Sequence, residues 1–165
     1  MFGIQYFVKI EVKIRESLAE NWLPAIYAEK IRSQRTRSIE IDVPERENQA
    51  EIQYTLLGIE LKIGKRRFAC PDLATARYMR IFARTGCREF AVPYDITRIS
   101  AAADDLETSW QRTLLLVEEE TRGKPTRSVS QTRSKLVKAI RNALREIGAG
   151  DTMPEFNRAT KQRNP

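Results

Sequence analysis

"AEIQYTLLGIELKIGKRRFACPD", residues 50–72, decides what kind of fold this chain builds. Ile52, Tyr54 and Leu56 alternate with polar neighbours, and the apolar set then shifts to Leu57, Ile59, Leu61 and Ile63. Alternation with a period of two marks a half-buried strand. The phase shift falls at Leu57-Gly58, so the segment reads as one long strand, or as two strands with a bulge at that point. Gly64-Lys65 suits a two-residue hairpin turn with glycine first, and RRFACP (66–71) then returns antiparallel.

Towards the C-terminus the pattern changes to helix. Asp72 is placed to cap a helix over 73–85 with Leu73, Ala76, Ile81 and Phe82 as its apolar positions, and Gly86 ends it. REFAVP (88–93) is a short strand. Asp95 caps a long helix, about 96–121, whose buried stripe is Ile99, Leu106, Trp110, Leu114 and Val117. GKPTRSVSQ (123–131) has the composition of a linker. A last helix, about 132–147, ends at Gly148, and the residues after Gly150 have little to bury.

Towards the N-terminus, PERENQ (44–49) is a loop and SIEIDV (38–43) alternates as a strand. Leu18, Trp22, Ile26, Tyr27 and Ile31 recur at helical spacing over 17–34, with a break or a new first turn expected at Pro24. Phe2, Ile4, Tyr6, Val8, Ile10, Val12 and Ile14 alternate without interruption, which predicts a strand. The expected architecture is α+β. A mixed or antiparallel sheet of four to six strands is packed by the helices of a domain over 1–122. A linker (123–131), an appended basic amphipathic helix (132–148) and a disordered tail (149–165) follow.

The chain has 165 residues, 41% of them hydrophobic, which is the size and content of one ordinary domain. No run of 18 apolar residues exists, so no transmembrane helix is expected. The alternating N-terminus does not read as a signal peptide. Cys70 and Cys87 are too few and too far apart for a disulfide framework or a metal knuckle. The reading is a cytoplasmic protein with two free thiols. Histidine is absent, which excludes Ser-His-Asp and Cys-His catalysis and histidine-bearing zinc sites within this chain.

Charge placement points to partners. The net charge is +7, yet residues 1–120 hold 18 basic and 19 acidic side chains. Residues 121–165 hold eleven Lys/Arg against Glu146, Asp151 and Glu155. In the last helix Leu136, Val137, Ile140, Ala143, Leu144 and Ile147 share an arc, with Lys135, Lys138, Arg141 and Arg145 placed opposite. A second basic cluster comprises Lys62, Lys65, Arg66 and Arg67, followed by Arg77, Arg80 and Arg84 at spacings of three and four, and by Arg88. Arginine suits phosphate because its planar fork donates two parallel hydrogen bonds. Glu118, Glu119 and Glu120 are placed to clamp the basic helix from within the chain. No Walker-type or G-x-G-x-x-G phosphate loop is present.

"GIELKI" adds a chemical motif. Glu60 and Lys62 stand two apart on one strand, with Asp42 eighteen residues upstream. The E-x-K element, the helix and strand after it, and the upstream acid over residues 38–93 resemble the PD-(D/E)xK nuclease superfamily. The resemblance implies that Asp42 and Glu60 hold Mg²⁺ while Lys62 steadies water or phosphate. Two departures stand beside it: Asp42-Val43-Pro44 is not the family's order, and the hairpin GKRRFACP intrudes before the helix. Mg²⁺ enters only with this resemblance; otherwise no cofactor is expected.

The leading expectation is a nucleic-acid-associated protein, on DNA or RNA, that holds phosphate backbones through Lys65, Arg66, Arg67, Arg77, Arg80, Arg84, Lys135, Lys138, Arg141 and Arg145. The alternatives are the Mg²⁺-dependent nuclease and a non-enzymatic assembly or adaptor protein gripping an acidic partner.

Overall fold

The structure is a computed structural model that describes residues 3–150. Its α+β architecture holds two small antiparallel sheets gathered around helices. The tail expected to be disordered lies, from residue 151, outside the described residues.

The hairpin region folds as two strands, β2 (Ala50–Thr55) and β3 (Gly58–Ile63), followed by β4 (Arg66–Cys70). Leu56-Leu57 is a two-residue turn, not a bulge. Thr55 Oγ1 closes it by accepting from Leu57 N at 3.2 Å and donating to Gly58 O at 3.0 Å. The phase shift in the sequence has a simple origin. Ile52 pairs with Leu61 and Tyr54 with Ile59, so an even set and an odd set share one face across the turn. The second turn, at Gly64 (φ +61°) and Lys65, joins β3 to β4 with Leu61 opposite Phe68. Leu61 and Ile63 are buried against α3 (Leu73–Thr85), while Glu51, Glu60, Lys62 and Arg67 lie on the outer face.

The other sheet pairs β1 (Thr36–Glu40) with β5 (Glu89–Pro93), Ile39 opposite Phe90. The four to six strands foreseen in one sheet are therefore split between a pair and a triplet. Helix α3 ties the two together. Its N-cap Asp72 accepts from Thr75 N at 2.7 Å, and Gly86 in the left-handed region closes its other end. Phe82, on the buried side of α3, stacks on Phe90 with ring centres 4.2 Å apart and meets Tyr27 and Tyr78 edge-on or tilted. The free edge of β5 is satisfied by tyrosines: Ala91 N donates to Tyr27 Oη at 2.8 Å, and Tyr78 Oη donates to Ala91 O at 2.5 Å.

The N-terminal segment corrects the sequence reading. It is a helix, α1 (Gly3–Leu18), and not a strand. Ile10, Ile14 and Leu18 are buried at spacings of four, whereas Val8 and Val12 are exposed. The same spacing runs on through Trp22 and Ile26, so one helical stripe was present beneath the alternation. The segment buries that stripe against α4 (Ile96–Glu120) and α5 (Thr126–Ile147). A 3₁₀ turn (Ala19–Asn21) then leads to α2 (Leu23–Ile26), with Pro24 in its first turn as expected, and a π-helical turn over Tyr27–Ile31.

The expected C-terminal amphipathic helix is present as α5, and it starts inside the segment 123–131 that reads as a linker. It begins at Thr126, with Pro125 as N-cap, and Leu136, Val137, Ile140 and Leu144 belong to the core. The composition of 126–131 suggests a loop, but packing of the helix on α1, α2, α3 and α4 overrides that local preference.

Candidate nucleic-acid interface

Helix α5 carries the basic surface, and burial sorts its cations. At 100° per residue, Arg127, Lys138 and Arg145 fall within about 20° of one line, with Lys135 about 80° away. All four are exposed, as are Gln131, Ser134 and Asn142 beside them. The side chains of Arg127 and Lys138 have no ion-pair or hydrogen-bond partner among the described residues, and over the eleven-residue step from one to the other the helix rises about 16 Å. Lys135 lies over the Phe7 ring at 4.9 Å, and Lys124, just before the helix, lies over Tyr6 at 5.6 Å. Arg127 was hidden from the sequence reading because it fell in the supposed linker. The aromatic seats were hidden because Tyr6 and Phe7 read as strand residues.

Arg141 is a correction. It points inward with 7% exposure and donates from Nη1 to Thr85 O at 3.0 Å. It caps the C-terminal end of α3, where a positive charge complements the helix dipole. Burial lowers its pKa, and Arg145 lowers it further. Asn48 serves the same helix end: its backbone N donates to Arg84 O at 3.1 Å and its side chain to Ala83 O at 3.0 Å.

An acidic clamp exists, but not from the residues expected. Glu47 receives Arg133 through Nε at 2.7 Å and Nη2 at 2.5 Å, and Glu45 pairs with Arg145. Both acids come from the 44–49 loop, held in place by Asn48 and by close packing on Gly86. Glu120 instead pairs with Lys13 at 3.0 Å, and Glu118 and Glu119 are exposed.

The second basic cluster is divided. Arg77 bridges Asp104 at 2.5 Å and Glu107 at 3.0 Å, and Arg80 also bonds Glu107. Burial opposes ionisation of Glu107, but the guanidiniums of Arg80 and Arg77 outweigh it and hold its pKa below the ordinary 4.5. Arg66 is bound to Asp42, whose carboxyl it holds below the usual range. Arg67 stands 3.9 Å from Glu60, and Lys65 is exposed at the β3–β4 turn. Arg84 is half-buried, and its guanidinium has no hydrogen-bonding partner among the described residues.

The residues of the nuclease-like set stand on separate elements. Asp42 follows β1, in the two-stranded sheet, while Glu60 and Lys62 lie on β3 of the other. Asp42 is engaged by Arg66, which shares the α3-facing side with Ile63, whereas Glu60 projects from the outer face. Among the described residues no group of three or more acids and cysteines is placed to hold a metal ion. Cys70 and Cys87 are free and buried. No described helix is long and apolar enough to cross a membrane.

Comparison with protein-family models, with curated proteins and with solved structures finds no match to the chain.

Proposed function

We propose that the protein binds the phosphate backbone of nucleic acids through the exposed stripe of α5. The observation that carries this reading is the pair Arg127 and Lys138 on one exposed line without acidic partners, flanked by Lys135 and by short polar side chains. Lysine and arginine on such a face displace counterions from phosphate, a term that does not depend on sequence. Ser134, Gln131 and Asn142 supply neutral donors of the kind that position a backbone. The helix that carries the stripe packs against α1, α2, α3 and α4 behind it.

Fluorescence anisotropy with labelled single- and double-stranded oligonucleotides, over a salt series, tests the reading. The parent chain binds, with log K falling linearly against log salt. Arg127→Gln with Lys138→Gln weakens binding and reduces the slope by about 1.4–1.8 for two lost contacts. Equal affinity and slope in the double variant, or no binding at low salt, removes the reading.

Assembly with a protein partner is a second reading, favoured by the hairpin tip. Tyr54, Leu56 and Leu57 are exposed there, the two leucines almost wholly. Leu56→Ser with Leu57→Ser leaves nucleic-acid binding unchanged and abolishes partner capture if this reading holds.

A further inference from the structure

We propose that the cleft between α3 and α4 around Arg84 is a binding site for a phosphate group, free or as a small phosphomonoester. It is a different surface from the α5 stripe. Arg80 and Arg84, one turn apart on α3, face Thr108, Gln111, Arg112 and Leu115 of α4 across a cleft of about 360 Å³.

The charges in this cleft do not balance internally. Glu107 is its one acid, and it is committed to Arg77 and Arg80 through separate oxygens. Asp104 also goes to Arg77. The side chains of Arg84 and Arg112 are left without an ion-pair or hydrogen-bond partner among the described residues. Arg84 is half-buried, so water reaches it only in part, and Arg80 Nε is buried with no acceptor at all. A half-buried guanidinium beside a second one is unfavourable until an anion lies against it. Burial and then the neighbouring Arg80 both lower the pKa of Arg84, while Glu107 and Glu47 act weakly the other way.

The donor set fits phosphate. Arg84 and Arg112 each offer a planar fork, and together they match a dianion carrying several acceptor oxygens. Thr108 and Gln111 add neutral donors on the same wall. Leu115, exposed at the cleft rim, gives an apolar surface for the organic body of a monoester. Arg84 and Gln111 also line a neighbouring cleft of about 390 Å³, which holds Glu47 and Glu51 beside Arg133, with Glu47 committed to Arg133.

Isothermal titration calorimetry of the full chain with inorganic phosphate and with phenyl phosphate, at ionic strength matched with chloride, tests the proposal. The expected result is saturable binding in the parent, at least tenfold weaker in Arg84→Met and partly restored in Arg84→Lys. Arg112→Gln, an exposed change that spares the fold, also weakens it. Arg127→Gln with Lys138→Gln leaves phosphate binding intact, which separates this site from the α5 stripe. Oligonucleotides with and without a 5′-phosphate distinguish a polynucleotide end from a free phosphate as the source. Three results overturn the proposal: no saturable binding beyond chloride, undiminished binding in a folded Arg84→Met or Arg112→Gln, or loss of phosphate binding in the α5 double variant alone.

Discussion

Arg141 Nη1 donates to the carbonyl oxygen of Thr85 at 3.0 Å, placing a buried positive charge at the C-terminal end of α3. A residue that sequence spacing assigned to a phosphate-binding face is thus a joint between two helices. Arg141→Met keeps the apolar stem and removes the charged hydrogen bond. It lowers stability by about 1.5–3 kcal/mol, the range for a bond to a charged group, read by urea denaturation. Oligonucleotide affinity of the folded variant stays at the parent value.

The 44–49 loop holds Arg133 and Arg145 through Glu47 and Glu45. Glu45→Gln with Glu47→Gln releases both arginines. The expected outcome is tighter oligonucleotide binding and a salt slope steeper by up to about 1.4–1.8, measured by anisotropy. The stability change at Glu45 is small, because exposed ion pairs contribute about 0–1 kcal/mol. Weaker binding in the double variant speaks against the α5 interface.

Glu107 joins α4 to α3 through Arg77 and Arg80. Its folded pKa lies below 4.5, so the unfolded chain takes up its proton first as pH falls. The contribution to stability is therefore complete above about pH 4.5 and is lost as pH drops through the lower folded value. Glu107→Gln lowers stability at pH 7 by about 1.5–3 kcal/mol. It also flattens that part of the acid limb, which denaturation midpoints between neutral pH and pH 3 will show.

Gly86 has φ +73°, and a Cβ added there would stand 2.4 Å from Arg46 O and 2.5 Å from Arg46 N. Gly64 has φ +61° with nothing within 4 Å of such a Cβ. Gly64→Ala then costs about 1–2 kcal/mol for the left-handed backbone alone. Gly86→Ala costs more, because the 44–49 loop must move, and thermal denaturation of the two variants compares them directly. The displaced loop loosens Glu45 and Glu47 as well, so Gly86→Ala is also expected to strengthen oligonucleotide binding.

Local chemistry was legible wherever a short-range rule decides the structure. Asp72 and Asp95 cap helices, Gly86 ends one, Gly64-Lys65 turns a hairpin, and the strands 50–55, 58–63 and 66–70 follow their alternation. The first helix was illegible because its residues satisfy two periods at once. Alternation accounts for Val8 and Val12, and a spacing of four accounts for Ile10, Ile14 and Leu18. The packing of the segment on α4 and α5 chooses between them.

The candidate site divides along the same line. Sequence alone determined that the basic excess lies in the C-terminal part, that α5 is amphipathic and that histidine chemistry is excluded, since these depend on composition and period. Tertiary structure decided which cations face water. It turned Arg141 inward, bound Arg66 to Asp42 and Arg145 to Glu45, and left the side chains of Arg127, Lys138, Arg84 and Arg112 without partners among the described residues. Asp42 and Glu60, close in pattern, were separated: Asp42 lies in the segment after β1 and Glu60 on β3 of the three-stranded sheet. The physical reason is that ion pairing and burial depend on which segments meet, and those contacts span separations such as the 100 residues between Glu45 and Arg145.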